Sequence, residues 1–188
     1  MKKIAILSLV MFVSLSTFAQ KWNVDKAHSK LGFTVTHLLI SEVDGNFKKF
    51  DATITSSKDD FSDAVFDITA DINSVSTDNE MRDGHLKKPD MFDAEKFPTF
   101  TFKSTSIKKI DAKKFKLDGN LTLKGVTKPV TFDLTLSGVG KNMRTQKPIA
   151  GFKLTGTIKR TDFGVGGMPD SVVSENIEVR AVGEFGKE

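Results

Sequence analysis

The 188-residue chain carries 28 Lys+Arg against 24 Asp+Glu, with 38% hydrophobic residues, 16 Phe, one Trp, no Tyr and no Cys. That length suits a single domain of about 100–200 residues, and the mix of charged and apolar residues is that of a cored protein rather than a disordered one. The lack of Cys excludes disulfide scaffolds, thiolate metal sites, iron–sulfur clusters and Cys nucleophiles together.

The chain opens with Lys2-Lys3, an apolar run over residues 4–13 and the small-residue pattern Thr17-Phe18-Ala19. This predicts a secretory signal over residues 1–19, cleaved near Ala19-Gln20, and a periplasmic or secreted bacterial protein whose single domain is residues 20–188. The run is too short to anchor in a bilayer core of roughly 30 Å. Removing it takes away two Lys and no acid, so the mature net charge is 26 − 24 = +2. Such a balance gives no reason to expect nucleic-acid binding.

From residue 21 the hydrophobic pattern has a period of two. Lys21–Asp25 starts it, and Leu31, Phe33 and Val35 then oppose Lys30, Thr34 and Thr36. A long stretch over residues 42–55 follows, and Phe66, Ile68, Ala70 and Ile72 alternate with Asp67, Thr69 and Asp71. Phe100 and Phe102 come next, then Phe115, Leu117, Gly119, Leu121 and Leu123, then Val130, Phe132, Leu134 and Leu136. Phe152, Leu154, Gly156 and Ile158, and finally Ile177, Val179 and Ala181, complete the series. Side chains alternate across a strand, so each run predicts a half-buried strand with one wet face. The short turn-forming stretches between them favour antiparallel neighbours. The expectation is all-β, with about eight or nine strands in a sandwich or a barrel.

Residues 77–94 interrupt this pattern. Thr77-Asp78-Asn79-Glu80 reads as a capping box for a short helix that Pro89 ends, with a further turn near residues 90–94. The result is a helical insertion lying against the sheet.

Periodicity leaves a filled core and a ligand cavity equally open. Inward-facing Gly119 and Gly156, with Gly138 as a third candidate, lean toward a cavity, because a missing side chain leaves volume; relief of sheet curvature is the plainer explanation. His28, His37 and His85 show no metal-ligand spacing on one element. His37 reads as a hydrogen-bonded histidine at a strand end in preference to a haem or metal ligand. Arg82 and Asp83 read as ties that hold the helix to the barrel rim, with contact between Arg82 and a ligand head group as the second option. Asp162 to Gly167 is a glycine-rich loop that matches no phosphate-binding motif.

Several stretches taken in order carry a family resemblance. They are Trp22-Asn23-Val24-Asp25 with His28-Ser29, Leu31-Gly32-Phe33-Thr34-Val35-Thr36-His37-Leu38, and Val43-Asp44-Gly45-Asn46-Phe47. Asn79-Glu80-Met81-Arg82-Asp83-Gly84-His85-Leu86, Gly119-Asn120-Leu121-Thr122-Leu123-Lys124-Gly125 and Arg160-Thr161-Asp162-Phe163-Gly164 continue it. Together they resemble the YceI family of exported lipid- or polyisoprenoid-binding proteins. That resemblance implies an antiparallel, eight-stranded, lipocalin-like barrel holding an isoprenoid or other lipid chain, with no catalysis and no cofactor beyond the bound lipid. The residues expected to line the channel are Phe33, Val35, Phe66, Ile68, Phe100, Phe102, Leu117, Leu121, Phe132, Leu134, Phe152 and Leu154, with Arg82 as a further ligand contact. Lys108, Lys109, Lys113 and Lys114 cluster at one turn, either as a solvated hairpin or as a contact for a membrane surface or a diphosphate. A homodimer, a filled-barrel interaction protein and an enzyme acting through Arg82-Asp83-Gly84-His85 remain the alternatives.

Overall fold

The computed structural model describes residues 19–188, so the predicted signal segment lies outside the described residues apart from its last position. Ten strands form one antiparallel sheet: β1 Gln20–His37, β2 Ser41–Phe47, β3 Phe50–Ser56, β4 Val65–Asp71, β5 Val75–Ser76, β6 Thr99–Lys109, β7 Lys114–Leu123, β8 Val126–Lys141, β9 Pro148–Lys159 and β10 Asn176–Lys187. β1 pairs with β10 from Trp22↔Lys187 to Thr34↔Glu178, which closes the sheet on itself. β2 and β3 run end to end along the other edge of β1, and the two-residue β5 only extends the edge beside β2. The architecture is therefore a closed antiparallel barrel of eight staves with one short helix, α1 Glu80–Leu86. Closure leaves the barrel no free edge over most of its height.

The predicted alternation is followed closely where it is longest. Along β7, Phe115, Leu117, Gly119, Leu121 and Leu123 are buried, whereas Lys114, Lys116 and Asn120 are exposed. The runs at Lys21–Asp25 and Leu31–Val35 belong to a single strand, broken in register between Asp25 and Lys30 by an irregularity that bends β1.

Strand direction divides the interior into two ends. At one end lie the start of β1, the ends of β3 and β10, and the turn joining β6 to β7. This end is densely packed. The loop between β3 and β4 turns inward and delivers Phe61, 1% exposed, into the lumen. Phe61 meets Phe152 edge-on with ring centroids 5.1 Å apart, and Phe152 makes the same kind of contact with Phe66 at 5.4 Å and Phe185 at 6.0 Å. Each such pair adds about 0.5–1.5 kcal/mol beyond the area it buries. Asp63 fixes the loop. Its carboxylate accepts hydrogen bonds from the hydroxyls of Ser56 and Ser57 and from the N–H groups of Ser57 and Lys58.

At the opposite end, α1 and the segment over residues 164–175 form a collar. The capping of α1 differs from the expectation. Asn79, not Thr77, caps it, accepting from the N–H of Arg82 at 2.9 Å, and the helix begins at Glu80. Residues 90–94 form the expected turns.

Candidate functional site

Between the packed end and the collar lies a cavity of about 430 Å³. That is within the roughly 300–1,000 Å³ typical of small-molecule sites. The strands build its wall. Phe33 and Val35 project from β1, Ile68 from β4, Phe100 and Phe102 from β6, Leu121 from β7, Phe132 from β8 and Leu154 from β9. The other residues expected in the channel lie deeper. Phe66, Leu134 and Phe152 border a second space of about 40 Å³, where Leu31, Ile68, Leu154 and Ala181 also face the main cavity. Leu117 lines neither space and is wholly buried in the packed end.

Gly119 and Gly156 do not leave open volume, whereas a Cβ on Gly138 would meet nothing within 4 Å. A Cβ on Gly119 would stand 2.5 Å from the ring of Phe102 and 2.7 Å from the carbonyl oxygen of Lys103. One on Gly156 would stand 2.5 Å from the ring of Phe132. Each of these two is roofed by a phenyl ring from the adjacent strand, so its effect is to let that ring lie flat against the barrel wall. This corrects the expectation that Gly119 and Gly156 enlarge the cavity.

Polar groups gather at the collar. Thr77 lies just past β5, and its hydroxyl donates to Asp83 at 2.6 Å while accepting from Nε of Arg82 at 2.7 Å. Nη2 of Arg82 donates to the carbonyl of Thr77 at 2.9 Å, and Asp83 also accepts the N–H of Thr77. Arg82 and Asp83 thus fasten α1 to the barrel, and Arg82 also lines the cavity. His85, one turn on, lines it too and places Nε2 3.1 Å from a carboxylate oxygen of Asp90, a contact that holds the Asp90 carboxyl below its ordinary range. His37 borders the cavity at the end of β1. Its backbone pairs with Val173, and its ring makes no hydrogen bond among the described residues, in contrast to the expectation of a hydrogen-bonded side chain.

Arg160 carries a role that the sequence reading did not assign. It follows β9, is 5% exposed and lines the cavity. Its Nε donates to the carbonyl of Ser174, Nη1 to those of Val165 and Gly166, and Nη2 to those of Met168 and Val173. All five N–H groups of the guanidinium are used, and they hold the 164–175 segment in a curl over the barrel end. Gly166 N–H donates to the carbonyl of Asp90, joining this segment to the one that follows α1.

The lysine cluster is elsewhere. Lys108 and Lys109 end β6 and Lys114 begins β7, at the packed end of the barrel, away from the cavity. Lys109 is paired with Asp60 on the loop that carries Phe61. Among the described residues, Asp25, His28 and Glu184 bring possible metal-ligand atoms within 4.8 Å of one another. Nδ1 of His28 bonds the Asp25 carboxylate at 2.9 Å, which raises the histidine pKa and lowers that of the aspartate.

Comparison with known proteins adds to this geometry. Residues 22–185 match the family model for the YceI-like domain. A UPF0312 protein of Staphylococcus aureus is 38% identical over 141 residues, covering 75% of this chain and 80% of that protein. The crystal structure of a Campylobacter jejuni YCEI protein superposes with a TM-score of 0.74 at 38% identity, covering 81% of this chain and 90% of the other. BcnA of Burkholderia cenocepacia superposes with a TM-score of 0.77 at 26% identity, covering 86% and 98%. A polyisoprenoid-binding domain of Saccharophagus degradans shares the fold, with a TM-score of 0.65 at 15% identity and coverage of 89% and 98%.

Proposed function

The chain belongs to the YceI-like family, and from that premise we propose that it is an exported carrier that holds a lipid or isoprenoid chain inside its barrel. The observation that carries this reading is the apolar cavity of about 430 Å³, walled by strand residues and bordered by polar groups only at the collar. Phe33, Val35, Ile68, Phe100, Phe102, Leu121, Phe132 and Leu154 would contact the chain. Phe66, Leu134 and Phe152 would form the floor, and Arg82 would sit beside the head. Affinity would come from apolar area removed from water, at about 25 cal/mol/Å², less the cost of ordering the chain. The polar groups of the collar hold backbone segments in place, and none forms a base–nucleophile pair, which favours binding over catalysis. Export is supported by Lys2-Lys3, the apolar run and Thr17-Phe18-Ala19, and amino-terminal sequencing of periplasmic material should begin at Gln20.

The test is organic extraction of protein purified from its own cells, followed by mass spectrometry. An apolar molecule should be recovered at a fixed ratio to protein, and Ala181→Trp, which fills the cavity, should abolish its recovery. Empty wild-type protein that also fails to bind added lipid would refute the reading.

A further inference from the structure

Four residues lining the cavity bear basic groups, Arg82, His85, His37 and Arg160, and none of the lining residues is Asp or Glu. Of the acids of the α1 segment, Asp83 binds Thr77 and Asp90 binds Nε2 of His85, while Glu80 is exposed and does not line the cavity. Neither guanidinium forms an ion pair with a carboxylate among the described residues. Arg160 spends its donors on carbonyl oxygens, which satisfy its hydrogen bonds but leave its full positive charge without a counter-charge at the end of an apolar space. Arg82 is different. Nε and Nη2 are held on Thr77, so the plane of the guanidinium is fixed, and Nη1 has no hydrogen-bond partner among the described residues.

A fixed guanidinium with a free end at the exposed rim of an apolar cavity that the buried Arg160 also lines favours an anion over a neutral acceptor. Charge attraction strengthens as water is excluded, and a hydrogen bond to an ionised oxygen is roughly twice as strong as one to a neutral oxygen. Arginine also matches the spacing of carboxylate and phosphate oxygens. We infer that the cargo is an anionic amphiphile whose carboxylate or phosphate is bound by Nη1 of Arg82, with Arg160 supplying positive potential behind it. This rests on the carrier reading above and specifies its substrate class. The basic groups lie at the collar and the floor is apolar, so the tail points toward Phe61 and the head toward α1.

The test compares chain-matched pairs on folded protein at low ionic strength, below the micelle threshold: oleate against oleyl alcohol, and farnesyl diphosphate against farnesol. The anionic member of at least one pair should bind at least about tenfold more tightly than its alcohol. Arg82→Gln should remove that difference, bringing the anion's affinity down to that of its alcohol, while Arg82→Lys should keep part of it. A preference confined to oleate identifies a fatty-acid cargo, and one confined to farnesyl diphosphate identifies an isoprenyl phosphate. Equal affinity within both pairs in the wild type, or an Arg82→Gln variant that keeps the full anion-to-alcohol ratio, overturns the inference and leaves the carrier reading standing. Failure of all four probes to bind overturns both.

Discussion

The indole of Trp22 meets the ring of Phe61 edge-on, with centroids 5.2 Å apart and planes inclined at 61°. Trp22 is the only tryptophan, and Phe61 closes the packed end, so one fluorophore reports on the closure. Phe61→Ala should cost about 3–5 kcal/mol in urea unfolding, through lost burial and the cavity left behind. Its folded-state emission should shift to the red as water reaches the indole. An unshifted spectrum with full stability would mean that other residues seal this end.

Acid should loosen the same loop. Burial pushes the Asp63 carboxyl up, but the hydrogen bonds from Ser56, Ser57 and Lys58 outweigh it and bring the pKa to about 2. A carboxyl lowered on folding contributes stability that is present above its unfolded value, about 4, and lost as pH falls through the folded one. Trp22 emission should therefore change between about pH 4 and pH 2. In Asp63→Asn that pH-dependent step should be absent and the loop already loosened at neutral pH.

The two roofed glycines should respond differently to alanine. At Gly156 the main obstacle is the ring of Phe132, which can swing into the lumen, so Gly156→Ala should mainly reduce lipid capacity. At Gly119 the new methyl also meets the backbone oxygen of Lys103, which a change of side-chain rotamer cannot relieve. Gly119→Ala should lose about 1–3 kcal/mol of stability, as overpacked cores do. Parallel denaturation and lipid titration of the two variants would separate these effects.

Much of this architecture was legible in the sequence because it follows from a local period. β7 through β10 announce themselves by strict alternation, and closure adds no requirement that the alternation does not already meet. What was hidden depends on partners far away in the chain. Phe61 sits among Lys58, Asp59, Asp60 and Asp63 like an ordinary loop residue, and only Trp22 and Phe152 make it a plug. Arg160 follows Lys159 at a strand end, where a solvated base is the default, and its acceptors come from residues 165–174 only after that segment has curled. The glycines mislead for the same reason, since the ring that occupies the space belongs to a neighbouring strand. At α1, Thr77 and Asn79 both suit a cap locally; Asp78, with φ of 59°, breaks the chain direction between them and leaves the role to Asn79.

Arg160→Lys should expose how much the collar depends on one side chain. An ammonium has three donors and cannot span five carbonyls, so the 164–175 segment should lose amide protection in hydrogen exchange while β7 and β8 keep theirs. Uniform loss across the barrel would show that Arg160 stabilises the whole fold and not this segment.

Charge reversal at Lys108 and Lys113 provides a control at the far end. Lipid affinity should be unchanged at low salt, because that turn lies beyond the packed end from the cavity. A clear loss would place the head group at the wrong end.

The separation between a dense floor and a roomy upper half also bears on how such a vessel can change over evolutionary time. Only Leu31, Ile68, Leu154 and Ala181 face both spaces, so most substitutions near the rim leave untouched the edge-on contacts of Phe152 with Phe61, Phe66 and Phe185 that pack the floor. The rim can be resculpted for guests of different girth or charge while the foundation stays as it is, which lets one scaffold acquire new tenants without relearning how to fold.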